Sequence, residues 1–381
     1  MRSGLDPGEF DWASDQNYFY LNPRFPTATA SELMALLPAC DEAFSGHLFM
    51  MSSGTTAQSM PTLKWVALSK SGFLVSADAV NQALKATRED VWLHLLPDFH
   101  VGGLAIRARC FQSQARAVSL LGWEVSEFIR AIEQHQVTLT SLVPTQVFDL
   151  CQQEARCPKS IRAVLVGGGA LSAPLCQRAQ DLGWPIQMTY AMTETCSTVG
   201  LSSESPLGRE VRFQVLPHFE VAETSGVLKL RGPSLLSAYI YRDLESRVQV
   251  HDPRVQGWFQ TSDRGTVWDR EFELVGREAD LIKVGGESVE MGRLNRILDE
   301  LRIQFSISAD LALIPLPDPR LGHVVGLVSD AHLTQSQADL ILAQWSARVL
   351  PFEKIRKWVR LDVIPRSPLG KLIVHDCLAR V

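Results

Sequence analysis

VTLTSLVPTQVFDLCQQEARCPKSIRAVLVGGGALSAPLCQRAQDLGWPIQMTY, residues 137–190, alternates extended and helical patterns, and that alternation decides the fold. VTLTSLV (137–143) and AVLV (163–166) are short apolar, β-branched runs of the kind buried strands carry, and IQMTY (186–190) follows suit. Between them the spacing predicts a helix through Glu154 and another after Ser172. The same texture extends toward the N-terminus. Ser76 is placed to cap a helix through Lys85, VWLHLL (91–96) reads as a buried strand, 102–116 as a helix, AVSLL (117–121) as a strand, and Ser126 as the next cap. Repeated strand–helix alternation predicts an α/β fold whose large domain holds a mostly parallel sheet covered by helices. Ligands of such sheets bind beyond the carboxyl ends of the strands. Gly167, Gly168 and Gly169 follow one of those ends, and Thr193 and Glu194 follow another.

Further upstream, MSSGTTAQSMPTLK (51–64) places Ser52, Ser53, Gly54, Thr55 and Thr56 directly after an apolar run, 48–51. A strand opening into such a loop can turn backbone N–H groups and hydroxyls toward one anion, and the small side chains let a polyphosphate approach. ATP is the expected ligand, although an ordinary surface loop has the same composition. No Gly-Lys-Ser or Gly-Lys-Thr follows, and Lys64 stands eight residues beyond Thr56, which argues against a P-loop kinase or GTPase.

Downstream, from about Val211 to Val275, short extended runs with turns such as GVLKLRG predict a smaller β-rich subdomain. Beyond Arg277 the pattern changes again. Val289, Leu294, Ile297, Leu298 and Leu301 recur at helical spacing, LALIPL and HVVGLV read as strands, a helix is expected around 334–349, and KWVRLDVI closes a compact α+β unit. The expected division is a large domain, 1–276, a connection, 277–283, and a small C-terminal domain, 284–381.

Composition removes several classes. The 381 residues are 46% hydrophobic and 21% charged, as in ordinary globular chains. A net charge of -5 offers no general attraction to nucleic acid or anionic membrane. The acidic start MRSGLDPGEFDWASD lacks the apolar core of a signal peptide, and no apolar run approaches membrane-spanning length. Seven scattered cysteines lack the paired spacing of a zinc site, so a reduced cytoplasm is the expected compartment.

Several segments, in order, resemble motifs of the adenylate-forming enzymes, the acyl-CoA synthetase, luciferase and adenylation-domain family. The 51–64 loop resembles their phosphate loop, with Ala57 and Trp65 where the family usually has glycine. TYAMTETCS (189–197) resembles their YGxTE motif, VLVGGGAL (164–171) their adenine-supporting glycines, WFQTSDRG (258–265) their TGD segment, GREADLIKVGGESVE (276–290) their inter-domain region, and PRSPLGKL (365–372) the segment carrying their catalytic lysine. The resemblance implies ATP, Mg²⁺ and CoA as ligands and a mobile C-terminal domain. It implies that Ser52–Thr56 and Lys64 hold phosphates, that Gly167–Gly169 and Tyr190 lie against adenine, and that Thr193 touches phosphate while Glu194 holds Mg²⁺. Asp263 would bind the ribose, Arg277 the ribose or phosphate, and Gly285 and Gly286 would line the CoA channel. Lys371 would serve the adenylation step. Ala279 stands where the family commonly has a polar hinge residue, which leaves Asp280 for that duty.

Two further segments, DVWLHLLPDFHVGGLAIRARC (90–110) and SLVPTQ (141–146), resemble more narrowly the o-succinylbenzoate-CoA ligases of menaquinone biosynthesis. His100 would then line and gate the acid pocket. Arg109 stands in an apolar stretch, where an unpaired guanidinium is costly, so it should meet an anion. That anion is either the second carboxylate of the substrate or a structural Asp or Glu, and Arg107 could take the same part. Thr145 and Gln146 could hydrogen-bond the substrate or simply start a helix after Pro144, and Ser197 closes the list of expected acid-site residues. The 51 residues before Ser52 are a shorter lead than the family's large domain has. With the irregular phosphate loop, this keeps a ligase for another carboxylate and a non-catalytic adenylate-binding relative open.

Overall fold

The computed structural model describes residues 10–23, 27–51, 64–169, 171–202, 211–243, 245–277, 281–284, 287–367 and 370–381. Its centre is an eleven-stranded sheet. Five neighbouring strands run parallel, in the spatial order Arg116–Ser119, Val91–His94, Leu139–Leu142, Ala163–Val166 and Ile186–Met192. Val91–His94, Leu139–Leu142 and Ala163–Val166 are buried at every position, as expected of strands covered on both faces. Each connection is a helix, as the sequence pattern predicts: Val101–Ser113, Val125–His135, Pro144–Gln152 and Ala173–Asp181. The helix before the first of these starts earlier than expected. It spans Lys70–Leu84 with Ser69 as its cap, accepting from the Gly72 N–H at 3.0 Å, so Ser76 is a buried mid-helix residue.

The β-rich stretch is present, and most of it extends the same sheet. After the turn at Thr193–Thr195 the chain reverses, and Ser197–Ser202 pairs antiparallel with Ile186–Met192. Arg212–Val215, Glu271–Arg277, Phe259–Trp268, Val227–Arg231 and Glu220–Thr224 continue the antiparallel flank. Ala238–Arg242 and Val248–His251 instead join a second sheet with Tyr18–Tyr20, His47–Met51 and Lys64–Ser69. There, Met51 and Trp65 are cross-strand partners.

The C-terminal region forms a third sheet from Leu281–Val284, Glu287–Glu290, Leu311–Asp318, Gly322–Ser329 and Ile355–Arg360. Met291, Leu294, Leu298 and Leu301 make the buried stripe of the helix Met291–Gln304, packed in a cluster with Trp345, Ile341 and Val325. Each such leucine contributes roughly 1.5–3 kcal/mol by leaving water.

Candidate active site

The parallel strands end together on one edge, and the expected residues follow those ends. Gly167 comes directly after Ala163–Val166 and lies against the neighbouring strand. A Cβ there would sit 2.4 Å from the Thr189 hydroxyl, so only glycine allows the approach. Gly168 has φ +80, and Gly168 and Gly169 lie beside Val143 and Pro144 at the next strand end. Beyond Ile186–Met192, Thr193 and Glu194 sit in the reversing turn, both partly exposed.

Two carboxylates are held by tyrosines. The Tyr190 hydroxyl donates to Asp263 Oδ2 at 2.7 Å, and Asp263 is 4% exposed. Tyr190 itself is buried, with its ring edge-on to Phe272. Asp263 and Arg277 are cross-strand partners; the Arg277 side chain lies outside the described atoms. Tyr239 donates to Glu194 Oε1 at 3.0 Å, and the Lys64 ammonium stands 3.9 Å from the Tyr239 ring centroid. Burial lowers the Lys64 pKa, and the Glu194 charge pulls it back up. Sequence reasoning did not single out Tyr239. It lies in a plain extended run, AYIY, and only its pairing with the strand Lys64–Ser69 brings it to Lys64.

Lys371 arrives on a turn built in the C-terminal region. Ser367 N–H donates to the Lys371 carbonyl at 2.7 Å, Lys371 N–H to Ser367 Oγ at 3.1 Å, and Gly370 N–H to the Ser367 carbonyl at 2.8 Å. Arg366 braces it, donating to both Asp310 carboxylate oxygens (2.8 and 2.6 Å) and to the Gly370 carbonyl (3.0 Å). This turn packs on the large region. Gly370 has φ +74, and a Cβ there would meet Thr145 atoms at 2.8 Å. Lys371 is also close enough to His100 to act on it. Burial, and then the Lys371 charge, push the His100 pKa down to about 4, and His100 Nε2 is buried with no hydrogen-bond partner among the described residues.

The acid-site candidates separate. Arg107 is committed to Asp98, with Nε–H donating at 2.8 and 2.9 Å and Nη2–H at 2.7 Å. Burial works to raise the Asp98 pKa, but hydrogen bonds from His94 and Arg107 outweigh it and hold the carboxyl at about 2. Arg107 is therefore the structural pair. Arg109 is 3% exposed, lies 5.3 Å from the Trp92 ring, and donates to Thr198 Oγ1 at 3.2 Å. Its Nε has no partner, and no Asp or Glu pairs with it, among the described residues. Burial, partly offset by Cys110, lowers its pKa to about 10. Gln146 spends its amide oxygen on the helix start, accepting from Val143 N–H at 2.9 Å. Ser197 is buried with φ 112, a strained value for a residue with a side chain. Ser52, Ser53, Gly54, Thr55, Thr56, Gly285 and Gly286 lie outside the described residues, as do Ala279 and Asp280. A cleft of about 420 Å³ lined by Asp78, His218, Glu220 and Arg231 shares no residue with this site.

A family model described as AMP-binding enzyme matches residues 28–228. The chain is 28% identical over 314 residues to 2-succinylbenzoate–CoA ligase of Bacillus pumilus (strain SAFR-032), covering 78% of this chain and 62% of that protein. To the ligase of the same name from Bacillus subtilis (strain 168) it is 28% identical, with 85% and 67% covered. The solved O-succinylbenzoate coenzyme A synthetase from Bacillus subtilis in complex with ATP and magnesium ion matches with TM-score 0.70 at 25% identity, covering 86% of this chain and 69% of that one. The same enzyme in complex with the acyl-adenylate intermediate has the same fold, with TM-score 0.75 at 23% identity over 95% of this chain and 82% of that one. The chain thus spans little more than three fifths of the Bacillus pumilus relative's length, 62%.

Proposed function

The chain belongs to the AMP-binding enzyme family, and from that premise we propose that it is an ATP-dependent, AMP-forming acid–thiol ligase making o-succinylbenzoyl-CoA from o-succinylbenzoate and CoA. The observation that supports this reading is the seating of the Lys371 turn on Thr145, with the Lys371 charge acting on His100, as a lysine serving an acid and an α-phosphate would require.

In the first half-reaction a carboxylate oxygen attacks the α-phosphorus and pyrophosphate leaves, giving an acyl-adenylate. In the second, the CoA thiolate attacks the acyl carbon and AMP leaves. Lys371 balances the charge that builds on the α-phosphate and the attacking carboxylate, and a preorganised ammonium in a water-poor site is worth far more than one in solvent. Gly167–Gly169 give adenine a flat backbone bed, and Asp263, acceptor-only when ionised, suits ribose hydroxyls. Glu194 fits Mg²⁺: its carboxylate is partly exposed, and one oxygen is already fixed by Tyr239. No cluster of three His, Cys, Asp or Glu stands ready among the described residues, as suits an ion that takes one or two carboxylates plus substrate phosphates. The bound ion supplies charge neutralisation at the phosphates.

Arg109 receives the second carboxylate of the acid, since Arg107 is spent on Asp98. The segment 277–283 is the hinge between domains 1–276 and 284–381, turning Gly285 and Gly286 toward the site for the thiol step. We place the reaction in the cytoplasm; among the described residues no helix is long and apolar enough to cross a membrane, and all seven cysteines are free. The test is ATP- and CoA-dependent AMP release across a panel of acids. o-Succinylbenzoate is expected to outperform benzoate and fatty acids, and the reverse order would transfer the chemistry to another acid.

A further inference from the structure

Tyr239 is 5% exposed and lies between two groups of opposite charge. Its hydroxyl donates to Glu194 Oε1 at 3.0 Å, while its ring face carries the Lys64 ammonium at 3.9 Å from the centroid. The pairing of Ala238–Arg242 with Lys64–Ser69 fixes this arrangement. Lys64 lies opposite Tyr241, so Tyr239 is its diagonal neighbour on the same face. The backbone of Glu194 is tied to the same strand region, because Leu236 N–H donates to the Glu194 carbonyl at 2.7 Å. The glutamate is thus anchored at both ends by 236–239. Among the described residues no other side chain hydrogen-bonds its carboxylate, so Tyr239 is its one directional tie, with the Lys64 charge acting beside it.

We infer that Tyr239 is the positioning residue of the Mg²⁺–ATP site, aiming Glu194 at the metal through its hydroxyl and Lys64 at the phosphates through its ring. This deepens the functional reading and rests on Glu194 as the metal-holding carboxylate. The two contacts use different parts of one side chain and separate by substitution. Tyr239→Phe keeps the ring under Lys64 and removes only the hydroxyl. Tyr239→Leu removes both.

The experiment titrates ATP binding calorimetrically, in EDTA and across a Mg²⁺ series, for wild type and both variants, with thermal melts confirming that each is folded. Losing one hydrogen bond to a charged group should raise the Mg²⁺ concentration for half-maximal tightening roughly tenfold in Tyr239→Phe, with EDTA affinity within about twofold of wild type. Tyr239→Leu should add a loss of roughly threefold or more in EDTA, because the cation–π support of Lys64 is gone. In a Glu194→Gln background, Tyr239→Phe should change the Mg²⁺ series no further. An unchanged Mg²⁺ series in Tyr239→Phe, or an equal loss with and without the metal, overturns the inference. A wild type whose ATP binding ignores Mg²⁺ overturns the reading of Glu194 as well.

Discussion

His100 and Lys371 come from sequence positions far apart, yet the charge of one acts on the other. Burial alone would favour neutral imidazole, and the nearby ammonium reinforces that preference, taking the pKa to about 4. A neutral His100 adds no second positive charge near Lys371, whose ammonium serves the phosphate in the proposed reaction. The sign of the pH effect follows. In the unfolded chain the imidazole titrates near its ordinary value of about 6.5, so as pH falls through that value the unfolded state takes up a proton first. The contribution of His100 to stability is complete above about 6.5 and is lost progressively toward about 4. Lys371→Ala should therefore raise the His100 pKa, read by NMR titration of the imidazole, while burial still holds it below the usual value. The same variant should lose adenylation by roughly 10²–10³-fold in pyrophosphate exchange and keep nucleotide binding, as expected when a charge acting on the transition state is removed. An unshifted imidazole would mean that the two groups are not neighbours in solution.

At the scale of elements, hydrogen bonds among Arg366, Ser367, Gly370 and Lys371 hold the Lys371 backbone. Gly370 combines φ +74 with a Cβ position 2.8 Å from Thr145, so it is constrained both by conformation and by space. Gly370→Ala should cost about 1–2 kcal/mol for the left-handed backbone and lift the turn from Thr145. The expected result is a drop in pyrophosphate exchange with ATP affinity retained; equal loss of both would place the defect elsewhere. The βα units around this turn were legible because each strand and helix announces itself locally, through runs such as AVLV and the residues that follow them. Tyr239 was not, because its role depends on a strand 175 residues upstream, from Lys64 to Tyr239. The early start of the helix at Lys70 was missed for a related reason. Ser69 and Ser76 are both acceptable caps in sequence, and what selects Ser69 is the end of the strand Lys64–Ser69. The choice between Arg107 and Arg109 likewise waited on Asp98, which sits nine residues from Arg107 and shows no pairing pattern in the sequence alone.

At the scale of the whole molecule, side chains of the C-terminal region reach the large core. Arg302, on the helix Met291–Gln304, places its guanidinium 4.6 Å from the Phe148 ring on the helix Pro144–Gln152. Burial pushes the Asp149 pKa up, and the Trp123 hydrogen bond and then the Arg302 charge partly offset it. Arg302 keeps a hold on its own side, donating to the Ala309 carbonyl at 3.0 Å. Together with Gly370 on Thr145, these contacts hold the Lys371 turn on the large region, the arrangement that the proposed adenylation step would use. In the proposed thiol step the C-terminal region would turn away, and the Arg302–Phe148 contact would break. Weakening that contact should therefore penalise one half-reaction selectively. Phe148→Leu removes the ring without stranding a charge, and a half-buried cation–π contact of about 0.5–2 kcal/mol corresponds to a few-fold to thirtyfold change in the balance. Pyrophosphate exchange should fall by a factor in that range, while AMP release from supplied acyl-adenylate and CoA stays level or rises. If both half-reactions fall together, Phe148 shapes the acid pocket and does not hold the two regions in register.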